Sequence, residues 1–274
     1  MTNLMTIAQL ECVSAARLKW IRLLTGAFAL LAAAAAYAAG AAGELAGADG
    51  FARTTMALVP VALILVPLAA VILGVSGQSA EAGSEAFLFG QPIGRTSVLV
   101  GRWMGELAAL GGAIVLGFGI GAIAIGSSAG IDGVERFVWF VAASVVLAAI
   151  FLSIAAAIAA STDRRVTALG LATFAWFFFV LLYDGIALSL AGWMPGSAGG
   201  HVLFASVFAN PADLVRVLML LVSGTANVLG AAGEAWVRFL GGDVRAMLAA
   251  ALALAFWIAA PLVVAATTLR SRDL

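Results

Sequence analysis

Six long apolar runs decide what this chain can become. They cover about residues 22–43, 55–77, 104–126, 137–160, 166–191 and 247–269. A helix needs about 20 apolar residues to cross a bilayer, and each run supplies them. Lipid offers no partner to a bare N–H or C=O, so a crossing segment must satisfy its own backbone as a helix. The expected fold is therefore an all-α integral membrane protein with six transmembrane helices, forming one membrane domain over residues 1–274. Only 10% of the residues are charged, against about 25% in a soluble domain.

The polar segments between the runs carry the remaining information. Residues 4–22 place Ile7, Leu10, Leu18 and Ile21 on one narrow helical face. This predicts a surface helix ahead of the first span. Arg17, Lys19 and Arg22 would meet anionic lipid headgroups, with Trp20 at the interface. No signal peptide is expected, because the first apolar run is too long and lacks a cleavage context. Pro60, Pro67 and Pro261 fall inside spans, which is tolerated where neighbouring helices re-satisfy the freed carbonyls. Gly111, Gly117 and Gly121 in the third span would let another helix approach closely.

The stretch from Gly77 to Trp103 is too polar for lipid and too apolar for an idle linker. It holds Glu81, Glu85, Arg95 and Arg102 around Pro92. Short helices broken at Pro92 would present a firm surface on which a soluble partner could push. Six spans put both termini on one side. That side collects nine basic residues: Arg17, Lys19, Arg22, Arg95, Arg102, Arg164, Arg165, Arg270 and Arg272. The other side has five: Arg53, Arg136, Arg216, Arg238 and Arg245. The positive-inside rule then puts both termini and the second and fourth loops in the cytoplasm.

The fifth loop, Gly192 to Arg245, faces outward and holds Asn210-Pro211-Ala212-Asp213 ahead of LVRVLMLLVSG. Asn210 is a good N-cap, Pro211 suits the first helical position, and Asp213 favours the positive helix end. The resulting helix is too short to span, so it lies on or dips into the outer surface. A second amphipathic piece is expected over 231–240, with Trp236 and Phe239 at the interface.

Few residues offer chemistry. The net charge is zero, so nothing points to nucleic acid. Cys12 alone excludes an internal disulfide and a CxxC site. The seven methionines form no MxM or MxxM cluster, so ordinary apolar filling outweighs a copper path. His201 is placed in an outward loop, and Glu106 is expected at an interface. No GxxxxGK[ST] loop exists, so energy from ATP would have to come through a partner. Asp184 ends the apolar run FFFVLLY. It needs a partner, water or a proton, and marks either a substrate path or an interfacial acid beside Tyr183.

The arrangement resembles the permease subunit of ABC-2 type transporters. The resemblance rests on the six spans, the leading surface helix and the short fourth loop. It also rests on Glu81, Gly83, Ser84, Pro92-Ile93-Gly94-Arg95 and Gly101-Arg102-Trp103. Ile7-Ala8, Glu11, Arg17, Lys19 and Trp20, with Asn210-Pro211, Asp213 and Arg216, narrow it to the permeases of nitrous oxide reductase maturation. Ser84 stands where ABC-2 permeases more often have Thr. The resemblance implies a homodimer in the bacterial inner membrane, two cytoplasmic ATPase subunits that bind ATP and Mg, and an extracytoplasmic cargo-accepting protein. It also implies no cofactor or metal in this chain and no enzymatic activity of its own. By position, Glu81, Glu85, Arg95, Asp163, Arg164 and Arg165 would couple to the ATPases. Asn210, Asp213 and Arg216 would meet the outward partner. An ATP-independent secondary transporter and a mechanotransmitting anchor without cargo passage are the alternatives.

Overall fold

A computed structural model describes residues 2–41, 50–78, 94–194, 198–222 and 243–271. Every regular element among them is helical. The helices are α1 (Thr2–Arg17), α2 (Lys19–Ala41), α3 (Gly50–Gln78), α4 (Arg95–Ala129), α5 (Val134–Ala160) and α6 (Arg165–Phe177). A π-helical turn (Phe178–Leu182) follows, then α7 (Tyr183–Gly192), α8 (Ala198–Ala209), α9 (Pro211–Val222) and α10 (Asp243–Ser271). Six of the resulting helical segments are long and apolar enough to cross a membrane, with α6, the π turn and α7 forming one of them.

The centre is the pair α3 and α5, crossing where Gly74 faces Ala155. A Cβ at position 74 would come within 2.8 Å of the Ala155 methyl. Leu147, Ile150, Phe151 and Leu152 of α5 are fully buried there. Pro67 deprives α3 of one backbone donor, the one that would reach the Leu63 carbonyl, and Trp176 of α6 packs beside that turn, donating Nε1–H to the next carbonyl, Ile64, at 3.1 Å. At one end Phe28, Phe51, Phe118, Phe137 and Phe140 form an aromatic cluster with centroid spacings of 4.9–6.4 Å. A turn at that end uses Gly130 and Gly133 at φ of +81° and +80°, a conformation that favours glycine. Large apolar side chains are exposed on α2, α4, α6, α7 and α10, as lipid-facing surfaces require.

Helix α4 departs furthest from expectation. It begins at Arg95 and runs for 35 residues, about 52 Å, well beyond the ~30 Å hydrocarbon core. Arg95, Arg102 and Trp103 are thus helical, not part of a loop. The break expected at Pro92, with Glu81 and Glu85, lies outside the described residues.

The leading helix also differs. The run 4–22 is not one helix, because it breaks at Leu18, so Ile21 is buried in α2 while Leu10 stays 67% exposed. The face that packs is instead Leu4, Ile7, Ala8, Glu11 and Cys12, laid on the first turns of α4. Gly101 and Gly105 make this possible. A Cβ at 101 would lie 2.9 Å from Ile7, and one at 105 would lie 2.5 Å from the Ala8 carbonyl oxygen. Small residues four apart decide this contact, rather than the hydrophobic wheel of α1. Gly117 and Gly121 do the same for α2 at Phe28 and Ala32, as anticipated. At Gly111 the Val145 side chain keeps an ordinary 3.5 Å.

Candidate functional site

The charged side chains collect at the two ends of the bundle. At the end shared by α1 and the last turns of α10, Arg95 donates Nη1–H to the Leu269 carbonyl at 2.9 Å. Arg270 donates to Thr96 Oγ1 at 3.2 Å. Leu99, Ala156, Ala160 and Ala265 pack together there, which brings the start of α4 and the ends of α5 and α10 into one surface. The tight turn after α5 sits on it, with Asp163, Arg164 and Arg165 exposed. Of the residues expected to couple, Asp163, Arg164 and Arg165 therefore stand together at this end. Arg95 reaches across to the carboxyl end of α10, where a cation suits the helix dipole.

Glu106, expected at an interface, is instead fully buried where α1, α3 and α4 meet. Neither of its carboxylate oxygens accepts a hydrogen bond among the described residues. Glu11, Arg102 and Gln78 are the groups whose charge or polarity reaches it. Burial raises the Glu11 carboxyl above its ordinary range, and Arg102 draws it partly back. The available signal was Arg102 and Glu106 at i and i+4, beside the Gly101 and Gly105 that admit α1.

At the opposite end, α8 and α9 meet at 97°. Asn210 occupies the corner and is fully buried. Its Oδ1 accepts the Ala212 N–H at 3.0 Å, capping α9. Its Nδ2 donates to Asp213 Oδ2 at 2.9 Å and to the Phe179 carbonyl at 2.9 Å. Arg216 bridges two acids, Asp184 Oδ2 at 2.7 Å and Asp213 Oδ1 at 2.8 Å. Asp213 has 14% of its side chain exposed and Asp184 43%. The more buried acid is the one disposed to hold a proton. Burial, and then the Asp184 carboxyl, push Asp213 up to about 7 against the pull of Arg216.

Asp184, Asn210, Asp213 and Arg216 thus form one cluster inside the chain, binding the α8–α9 hairpin to the fifth span. Tyr183 adds a hydrogen bond to the Ser206 carbonyl at 3.1 Å, and Trp257 adds one to the Phe208 carbonyl at 3.0 Å. His201, expected in a loop, is an exposed residue of α8. The helix expected over 231–240 lies outside the described residues. Beside the cluster is a cavity of about 360 Å³, bounded by Met56, Val59 and Leu63 of α3, Val180 and Leu181 of the π turn, and Arg216.

The model of the ABC-2 family transporter proteins matches residues 5–274. The chain belongs to the ABC-2 transporter family. As a permease it is similar to two proteins described as probable ABC transporter permease protein NosY. The one from Stutzerimonas stutzeri is 30% identical over 200 residues, covering 70% of each chain. The one from Pseudomonas aeruginosa is 33% identical over 201 residues, covering 71% of this permease and 70% of the relative. A permease of this family is the membrane subunit of an ABC transporter, which implies an ATPase partner. The matched region takes in both charged ends.

Proposed function

We propose that this permease couples ATP hydrolysis by two cytoplasmic ATPase subunits to export or delivery of cargo for copper-site assembly of nitrous oxide reductase. It works as a homodimer in the bacterial inner membrane, with both termini cytoplasmic. The observation that supports the ATPase dock best is the exposed Asp163–Arg164–Arg165 turn. It stands at the same end as the start of α1 and the last turn of α10, in an ABC-2 chain whose sequence carries no phosphate-binding loop. Charged turns on a rigid membrane face can pass a rigid-body push into the helices they join. Glu81, Glu85 and Arg95 extend the dock. An extracytoplasmic cargo acceptor meets the opposite end, at the hairpin that Asn210, Asp213 and Arg216 hold in place. Asp184 lines the cargo path, supported by its ion pair with Arg216, which itself bounds the cavity.

The test is co-purification of the full complex with its ATPase. An Arg164→Glu, Arg165→Glu variant should lose the ATPase while still entering the membrane. Unchanged pairing would remove this turn from the dock. Transport by the purified permease in liposomes without any ATPase would replace the whole reading by a secondary transporter.

A further inference from the structure

The fifth span contains one irregular turn, and one side chain from another element occupies it. In the π turn the Tyr183 N–H bonds to the Phe178 carbonyl, five residues back. A continuous α-helix would bond that N–H to the carbonyl of Phe179. The Phe179 carbonyl is therefore left over, and the Asn210 amide takes it at 2.9 Å. The other bonds of that side chain cap α9 and hold Asp213, so the corner of the hairpin and the irregular turn share one amide.

A π turn is an α-helix with one residue inserted. Closing it would rotate α7 by one residue's worth, about 100°, and shift it by about 1.5 Å. The first two residues beyond the turn are Tyr183 and Asp184, which grip Ser206 and Arg216 of the hairpin. Val180 and Leu181, within the turn, form part of the cavity wall.

We propose that Asn210 is the latch of a register switch in the fifth span. While its amide holds the Phe179 carbonyl, the π turn persists and Asp184 faces Arg216. When the hairpin withdraws Asn210, the turn closes to α-helix, α7 rotates, Asp184 parts from Arg216, and the cavity wall is rebuilt. The hairpin is suited to deliver that pull. Its two arms are separate rigid helices, and Trp257 hangs the end of α8 on the last span. A load on α8 or α9 converges on their corner, where Asn210 sits.

The test uses the full chain in nanodiscs with Cys12→Ser, carrying spin labels at Leu188→Cys on α7 and Val138→Cys on α5. Both positions are exposed. Asn210→Ser keeps an N-cap oxygen but is too short to reach the Phe179 carbonyl. It should move the label-to-label distance by several ångströms. Deleting Leu181 removes the inserted residue while leaving α7 in its present register. That deletion alone should keep the original distance, and Asn210→Ser placed on top of it should cause no further change. Recovery of a poorly folding Asn210→Ser chain by the deletion also supports the switch. An unchanged distance in Asn210→Ser, an equal shift with and without the deletion, or failure of both chains to fold would overturn it.

Discussion

Replacing Gly105 by Ala adds one methyl group at the tightest contact between α1 and α4. Its Cβ would stand 2.5 Å from the Ala8 carbonyl oxygen, 2.6 Å from Glu11 Cβ and 2.9 Å from the Cys12 nitrogen. Two of those atoms are backbone, so no rotamer change can clear the space, and α1 must retreat as a body. Overpacking of this kind costs about 1–3 kcal/mol. Alanine also improves helix propensity by about 1 kcal/mol over glycine, which would mask part of the cost. Gly112→Ala supplies the control. It sits in the same helix with nothing within 4 Å of its Cβ, so it gains the propensity alone. The difference between the two variants isolates the contact and should be about 1–3 kcal/mol. At roughly 2–4 °C per kcal/mol for a chain near this size, thermal unfolding in detergent resolves it. Trypsin gives a second readout, because the exposed Arg17 ends α1 at its break. Cleavage there should accelerate in Gly105→Ala and not in Gly112→Ala. Equal melting temperatures and equal cleavage rates would refute the docking of α1 on α4.

The same junction should respond to pH. The folded Glu11 carboxyl is raised above its ordinary value of 4.5 by burial, so folding favours its protonated form. The docking of α1 is then firmest below 4.5 and loosens as pH climbs through the raised value. Tryptic cleavage at Arg17, followed across pH and corrected for the protease's own profile, should show this in the wild type and weaken in Glu11→Gln, with Glu106, the other carboxyl buried at this junction, carrying what remains. At the other end, Arg216→Leu leaves Asp184 and Asp213 facing each other without their cation. The pair is more than a third exposed, so screening brings the expected loss down to about 1–3 kcal/mol. Asp184→Asn added to Arg216→Leu should recover part of that loss in a double-mutant cycle, and strict additivity would dissolve the cluster.

The sequence carried the parts of this fold that depend on local rules. Apolar length alone located six helices, because lipid leaves a spanning backbone no other solution. Asn210-Pro211 marked the start of α9, because cap chemistry is local. Gly117 and Gly121 announced a close helix because spacing is local too. The rest depended on partners distant in sequence. The packing face of α1 was chosen by glycines some ninety residues away, and it is not the face that its own hydrophobic wheel favours. Glu106 looked interfacial from its place near the start of an apolar run, and only the arrival of α1 buries it. No residue in FFFVLL signals a π turn, because the group that stabilises it is Asn210, on another element. Asn210, Asp213 and Arg216 read as an outward polar patch, yet their side chains bond inward to the fifth span.

The first turns of α4 are where the chain's beginning and end come together. Ile7 lies on Gly101, while Arg95 and Thr96 hold Leu269 and Arg270. Opening and closing segments of the polypeptide thus share a single hub, directly after residues 79–93. A force applied to that hub would reach the outermost helices of the chain together, without first crossing the bundle.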